Sequence, residues 1–492
     1  MSTNSKALII GSGIAGLALS VRLAVKGYKV QVFEANAYAG GKLSEREQDG
    51  FRFDAGPSLF TMPHFVSELF EIARKNPSEH FKYKRLEVAC RYLYEDGLEV
   101  DAFADQNAFR KELSEKFGES EKSVEKFLKK SREIYSITEN VFLNKSLHKL
   151  STYLNAGTIK SMMQLYKLQI YSSMYKANSQ FFKNERTVQF FNRYATYNGS
   201  NPYKAPATLN VIPYLENEIG AFFPEGGMYN ITKSIYRLAK SLGVEFNFNM
   251  PVEEILIENG KAKGIKVDGE KLESDLVISN MDMVSTYRRL LGKHKAPERL
   301  LRQEKSSSAL IFYWGMNKTF PQLDLHNIFF SNDYKKEFDA IAAGKSIDDD
   351  PTVYVNISSK YAPNDAPEGA ENWFTMINVP NNQGQDWDAL IAEARENILH
   401  KVSKTLYTDV KKLIVTEAIL DPRTIESKTS SAQGALYGNS SNTPMAAFFR
   451  HPNFSGKYKN LYFCGGSVHP GGGIPLCMLS AKITADIISK SN

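Results

Sequence analysis

Gly11-Ser12-Gly13-Ile14-Ala15-Gly16 follows directly on the apolar run Ala7-Leu8-Ile9-Ile10. A strand that ends in such a turn and continues as a helix gathers backbone N–H groups and the positive end of a helix dipole around one point, which suits a phosphate anion. Gly11 permits the tight turn, Gly13 lets the backbone approach a pyrophosphate, and Gly16 lets the helix pack close to the strand; Ile14 and Ala15 form the first helical turn. Leu17, Leu19, Val21, Leu23, Ala24 and Val25 carry the helix to Gly27, and Tyr28 to Phe33 reads as a second strand. Glu34, followed by Ala35, closes that strand 18 residues after Gly16. A carboxylate there takes both hydroxyls of an adenosine ribose and repels a 2′-phosphate. The spacing asks for a dinucleotide other than NADP and leaves FAD and NAD open.

Residues further along favour FAD. Ala39-Gly40-Gly41-Lys42-Leu43-Ser44 comes within ten residues of Glu34. Gly41 and Lys42 can wrap the far side of the same dinucleotide, with the ammonium on a phosphate. Gly50 to Ser58 reads as a strand running into the turn Gly56-Pro57-Ser58, where an NAD-binding domain would go straight to its next βαβ units. At the other end of the chain, Asn460 to Cys464 reads as a strand, Gly465 to Pro475 as a glycine-rich loop and Leu476 to Ile488 as a helix. Gly465, Gly466, Gly473, Ile474 and Pro475 are assigned to the isoalloxazine end, because a helix start carries roughly +0.5 charge and stabilises negative charge at the flavin N1–C2=O edge. In between, Gly243 to Asn280 reads as short strands with a hairpin turn at Asn259-Gly260. Val252 is expected near adenine, and Asn280 beside the cofactor at a strand end.

These pieces predict an α/β protein: a discontinuous, Rossmann-like FAD-binding domain from residues 1–75, 225–289 and 446–492, and a substrate domain of mixed sheet plus helices from 76–224 and 290–445. Ser308 to Gly315, Thr352 to Asn356 and Trp373 to Val379 read as strands of a sheet flooring an apolar tunnel.

The motifs Gly11 to Gly16, Gly40-Gly41-Lys42, Asp54 to Ser58, Pro224-Glu225-Gly226-Gly227-Met228 and Gly465 to Pro475, the last followed by Leu476 to Lys482, resemble the carotenoid (phytoene-type) desaturase family of the amine-oxidase-like FAD superfamily. The resemblance runs end to end and is closest to the branch of hydroxycarotenoid 3,4-desaturases. It implies insertion of C=C bonds into a long polyene, with a hydride passing to flavin N5 and a proton leaving the adjacent carbon. Gly466 stands where many related flavoenzymes have an acid. A phytoene- or lycopene-type desaturase, a carotenoid isomerase, an amine oxidase and a non-catalytic isoprenoid-lipid-binding protein on the same fold remain alternatives. No catalytic acid or base is identified; of the eight histidines, only His469 lies in the flavin loop, where it can serve as a base or simply order the loop. The electron acceptor is expected to be oxygen or a quinone.

The rest of the composition narrows the class. The 492 residues hold 61 Lys+Arg against 55 Asp+Glu, a net charge of +6 that makes no case for nucleic acid. Three cysteines, none at metal-ligand spacing, give neither a disulfide framework nor a metal site and fit a reducing, cytoplasmic compartment. No apolar run reaches the ~18–20 residues that span a bilayer. Residues 140–184 carry six lysines (Lys145, Lys149, Lys160, Lys167, Lys176, Lys183) and no Asp or Glu, interleaved with Phe142, Leu154, Ile159, Met162, Met163, Tyr166, Tyr171 and other apolar side chains. Such a segment can lie on the inner face of a membrane, with its lysines toward anionic headgroups. The bland alternative is a helix pair with a solvated lysine face.

Overall fold

In a computed structural model of the chain, residues 5–139, 143, 145–154, 156–444, 446 and 449–491 are described. Ala7 to Ile10 are buried on both sides, as a central strand of a parallel sheet must be. The sheet runs in the order Leu461–Phe463, Leu276–Ser279, Lys6–Ile10, Lys29–Phe33, Glu245–Asn247, with every neighbouring pair parallel. Three sequence-distant stretches thus build one sheet. Its strands end at Ile10, Phe33, Ser279 and Phe463, so Gly11, Glu34, Asn280 and the Cys464-Gly465 pair all emerge at one carboxyl edge, where open α/β sheets bind ligands. The helix Ile14–Val25 buries Leu17, Leu19, Val21 and Leu23, each worth about 1.5–3 kcal/mol. It packs against the helices Tyr229–Ser241 and Ile474–Ser491.

Asn259 and Gly260 turn the hairpin between Val252–Glu258 and Lys261–Val267, both with positive φ (49° and 73°), as a type I′ turn requires. A third strand, Glu270–Glu273, completes this sheet. It has three exposed positions of four and so offers no alternation to read.

The second large sheet has seven strands: Ile414–Leu420, Ser308–Met316, Glu371–Val379, Val353–Asn356, His326–Phe329, Val88–Leu93 and Glu99–Phe103. The three stretches read from sequence are its second, third and fourth strands. All pairs are antiparallel except His326–Phe329 with Val88–Leu93. Ser308–Met316 is buried at every position, with Trp314 opposite Trp373.

The lysine-rich stretch is not one interfacial helix. It is broken into Leu150–Tyr153, Ala156–Met162, a 3₁₀ turn Leu165–Leu168 and Met174–Phe181. Gln169 ends the 3₁₀ turn in the left-handed region (φ 50°), and the Ser173 side chain caps the next helix by accepting from the Lys176 N–H. Phe142, Asn140, Val141, Asn144 and Asn155 lie outside the described residues.

Candidate active site

A cavity of about 820 Å³ opens along the carboxyl edge of the parallel sheet and continues over the seven-stranded sheet. That is toward the upper end of the roughly 300–1,000 Å³ usual for small-molecule sites. Of the residues singled out from sequence, Gly11, Gly13, Ile14, Ala15, Glu34, Ala35, Gly41, Lys42, Gly56, Pro57, Ser58, Val252, Asn280, Gly465, Gly466, His469, Gly473, Ile474 and Pro475 all line it; Gly16 does not.

The two glycine-rich turns, at opposite ends of the chain, meet on Asn280. Its Nδ2 donates to the Gly11 carbonyl (3.2 Å). A Cβ at Gly13 or Gly16 would lie 2.9 or 2.8 Å from the same Nδ2, and one at Gly465 would lie 2.8 Å from Oδ1. At Gly16 a Cβ would also stand 2.3 Å from the Gly11 carbonyl oxygen. The demand for glycine therefore comes as much from this asparagine as from any ligand. The strand end placed Asn280 beside the cofactor, but its contact with both loops comes from strand pairing, which local spacing does not announce.

Two further motifs are coupled in the same way. Asp54 accepts from the Met228 and Tyr229 N–H groups (2.8 and 2.9 Å) and so caps the helix Tyr229–Ser241, while Arg52 Nη2 donates to it at 2.6 Å. A Cβ at Gly227, whose φ is +85°, would sit 2.4 Å from Arg52 Nη1. The turn beginning at Asp54 and the helix start at Met228 are one device.

Glu34 is almost fully buried, and both its oxygens are engaged. Oε2 accepts from the Ser12 N–H and Oγ (both 2.8 Å), and Oε1 from the Asn36 N–H and Nδ2 (2.9 and 2.8 Å). Ribose hydroxyls would compete with the Ser12 and Asn36 side chains. Lys42 differs from its sequence reading: its Nζ donates to the Ala435 and Leu436 carbonyls (3.0 and 2.8 Å), the acceptors a cation withdrawn from water needs. Burial pulls this ammonium down to about 8, against the opposing field of Asp282.

The site fits an anionic dinucleotide on observations of its own. Two helix starts, at Ile14 and Ile474, open on the cavity with no acid in their first turn. Arg450 is buried in the wall and donates to Ser441 Oγ (3.3 Å); among the described residues no carboxylate pairs with it. Gly473, with φ +107°, has no atom within 4 Å of where a Cβ would stand, leaving room beside the second helix start. His469 is tied into the loop: its Nε2 faces the Lys145 carbonyl (2.9 Å), its N–H donates to the His451 carbonyl, and its own carbonyl accepts from Asn453 Nδ2 (2.9 Å). That geometry orders the loop.

Two histidines near the cavity are held neutral. Burial lowers His326 from 6.5 to about 3, helped by the Arg193 cation, and lowers His451 to about 4, helped by His148. In the unfolded chain both would take up a proton near 6.5, so the folded state loses stability as pH falls from about 6.5 toward 3–4. Each should contribute on the order of 3 kcal/mol. Urea denaturation midpoints at pH 7.5 and 5 are expected to differ markedly in the unaltered protein and less in His451→Gln; equal pH sensitivity would contradict this account.

The geometry agrees with what the chain is similar to. A profile of the family "Flavin containing amine oxidoreductase" matches residues 14–489. The 1-hydroxycarotenoid 3,4-desaturase of Flavobacterium sp. (strain P99-3) is 51% identical over 99% of both chains. A 4,4'-diapolycopene oxygenase from Methylomonas sp is 33% identical over 99% of this chain and 98% of its own. Putrescine oxidase has the same fold (TM-score 0.64, 14% identity, 99% of both chains). The chain is an FAD-dependent oxidoreductase of the flavin-containing amine oxidoreductase family, on its carotenoid-desaturase branch.

Proposed function

We propose that the protein introduces a C=C bond at the 3,4 position of a 1-hydroxylated carotenoid. The observation that carries this reading is the continuity of the cavity. Beyond the glycine turns it runs along the seven-stranded sheet (Ile311, Phe374, Met376) and the helical side (Leu168, Leu209, Ile212), a largely apolar slot suited to a polyene and open to the cofactor edge. The relative at 51% identity carries that activity in its name.

FAD, when bound, supplies the two-electron acceptor that removal of two hydrogens from a CH–CH unit requires. The chain's own residues do the rest. The segments 1–75, 225–289 and 446–492 form the cofactor body and 76–224 with 290–445 the substrate body. Gly11 to Ala15, with Gly16 behind them, would hold the pyrophosphate, while Glu34, Ala35 and Val252 would hold the adenosine end. Gly41, Lys42, Gly56, Pro57, Ser58, Asn280, Gly465, Gly466, Gly473, Ile474 and Pro475 surround the redox end. Their fixed dipoles and the Lys42 ammonium are in place before reaction, so negative charge developing there needs no reorganisation. The apolar walls fix the polyene and exclude water. Oxygen or a quinone would serve as the final acceptor of the two electrons.

The polyene is delivered from a bilayer. No helix among the described residues is long and apolar enough to cross a membrane. Leu154, Ile159, Met162, Met163, Tyr166 and Tyr171 are nevertheless exposed within 18 residues, beside Lys160 and Lys176, and Leu168 and Ile170 of the same segment line the cavity. This face lies on the inner leaflet of the membrane. Met163→Glu with Tyr166→Glu should weaken co-sedimentation with anionic vesicles about tenfold or more without altering flavin content. Unchanged sedimentation would remove the membrane reading.

The function is tested by anaerobic mixing of the flavin-loaded enzyme with a 1-hydroxylated carotenoid, phytoene or lycopene. Bleaching of the flavin with a red-shifted product is expected with the first. No bleaching with any polyene would overturn the proposal.

A further inference from the structure

Arg450 is a buried cation without a counter-charge. It lines the cavity and is 2% exposed. Its guanidinium makes one hydrogen bond among the described residues, from Nη2 to Ser441 Oγ (3.3 Å), and Nη1 bonds to nothing. That serine oxygen is shared, since it also accepts from Asn198 Nδ2 (2.6 Å). Among the described residues no carboxylate pairs with Arg450, and none of the others is Asp or Glu. The other buried arginines are answered: Arg22 by Glu68 (3.2 Å) and Arg193 by Glu216 (3.6 Å). Burial pulls the Arg450 guanidinium down to about 10, which leaves it charged at neutral pH. An ion withdrawn from water with no partner is costly. Packing gives no reason to keep one here, whereas an anion brought by a ligand does.

Its position selects which anion. A Cβ at Gly471 would stand 3.0 Å from Arg450 Cζ and 3.1 Å from Nε. The guanidinium therefore lies against the C-terminal loop, next to Gly472, Gly473 and the helix start at Ile474. The pyrophosphate turn meets that loop at its first residue, where Gly465 and Gly11 share Asn280. Arg450 thus stands on the side of the loop assigned to the isoalloxazine. Hydride transfer breaks a substrate C–H bond and carries both electrons to that ring system, which gains a negative charge; the proton of the adjacent carbon leaves separately. In a site shielded from water the field of a full charge acts across several ångströms, so direct contact is not required.

Resting on the placement of Gly465 to Pro475 at the redox end, we infer that Arg450 is the standing counter-charge for the reduced isoalloxazine and so raises the reduction potential of the bound flavin. It adds a full charge where the helix start at Ile474 supplies roughly half of one. Arg450 exchanges no proton; it sets the driving force for taking up hydride.

The test is the two-electron midpoint potential of FAD in the purified holoenzyme, measured anaerobically against a dye of known potential with no carotenoid present. Arg450→Met should lower the equilibrium constant for reduction about 10–100-fold, a midpoint about 30–60 mV more negative, while affinity for oxidised FAD changes little. Arg450→Lys, which keeps the charge, should stay near the unaltered value. Arg450→Gln should fall as far as the methionine variant, and it serves where that variant fails to fold. An unchanged potential in the neutral variants would overturn the inference, as would a lysine variant that falls equally far. Loss of affinity for oxidised FAD at unchanged potential would also overturn it, by putting the guanidinium on the pyrophosphate. Because no polyene enters the measurement, all these outcomes leave the proposed substrate untouched. Failure of the unaltered protein to bind FAD would overturn the placement of the loops along with the inference.

Discussion

Gly16→Val is expected to purify without its yellow cofactor. The residue does not touch the cavity, so the effect is transmitted through packing. A Cβ there would meet the Gly11 carbonyl oxygen at 2.3 Å and Asn280 Nδ2 at 2.8 Å. Neither neighbour can yield alone: Gly11 is held by its N–H to the Phe33 carbonyl (2.8 Å), and Asn280 by its N–H to Ile10 and its Nδ2 to Gly11. Moving either opens the turn that presents N–H groups to the pyrophosphate and shifts the asparagine against Gly465 in the other loop. Overpacking of this kind costs about 1–3 kcal/mol even in forgiving cores, and here the side chain is branched and the obstacle is backbone. Flavin affinity should fall at least ~100-fold, read as the ratio of flavin to protein absorbance and by fluorescence titration. Gly27→Ala is the control: its φ is +88° but nothing lies within 4 Å of its Cβ position. It should lose about 1–2 kcal/mol of stability and keep its colour. A yellow Gly16→Val protein with ordinary affinity would show that the contact between the two loops through Asn280 is unimportant.

The contrast between Gly16 and Asn280 also marks what sequence could and could not convey. Glycine turns are legible because they are local. Gly11, Gly41, Gly465 and Gly473 all have positive φ, a demand written into residue type, and the strands before Gly11 and Gly465 are short apolar runs whose burial is evident. The acid at 34 is legible by spacing. By contrast, the Asp54 cap on the helix at Met228 spans more than 170 residues. The polar lining of the cavity draws on residues 58, 193, 216, 326 and 354, so no window of sequence contains it. His326 is moreover an isolated histidine in the strand His326–Phe329, whose four positions are all buried; its ring meets Asn356 of the paired strand, which register supplies. The lysine-rich stretch is an intermediate case. Its composition was plain, but the breaks at Gln169 and Ser173 depend on left-handed backbone and capping, which helical periodicity does not report. The outward-facing apolar side chains survive those breaks because each short helix still covers one buried side: Leu168 and Met174 point in.

Glu216→Ala is expected to be the most destabilising single change on the substrate side of the cavity. Glu216 is the counter-charge of Arg193 (3.6 Å) and accepts two tyrosine hydroxyls. Removing it leaves a guanidinium among the rings of Tyr92, Tyr194 and Tyr197, whose centroids lie 5.1, 4.8 and 4.9 Å from Arg193 Cζ. Those ring faces attract a cation but do not neutralise it. Breaking one side of a buried pair typically costs about 3–5 kcal/mol, because the remaining charge is stranded out of water, whereas replacing both partners with uncharged groups of similar size is often nearly neutral. The double variant Arg193→Met with Glu216→Gln, which retains a carbonyl acceptor for one tyrosine, should therefore recover at least half the loss. Urea denaturation monitored by tyrosine fluorescence and by flavin release separates the two effects: the fluorescence change should come earlier in Glu216→Ala while flavin is retained to higher urea. A double variant as unstable as Glu216→Ala would mean that the tyrosine hydroxyls, rather than the stranded arginine, set the cost.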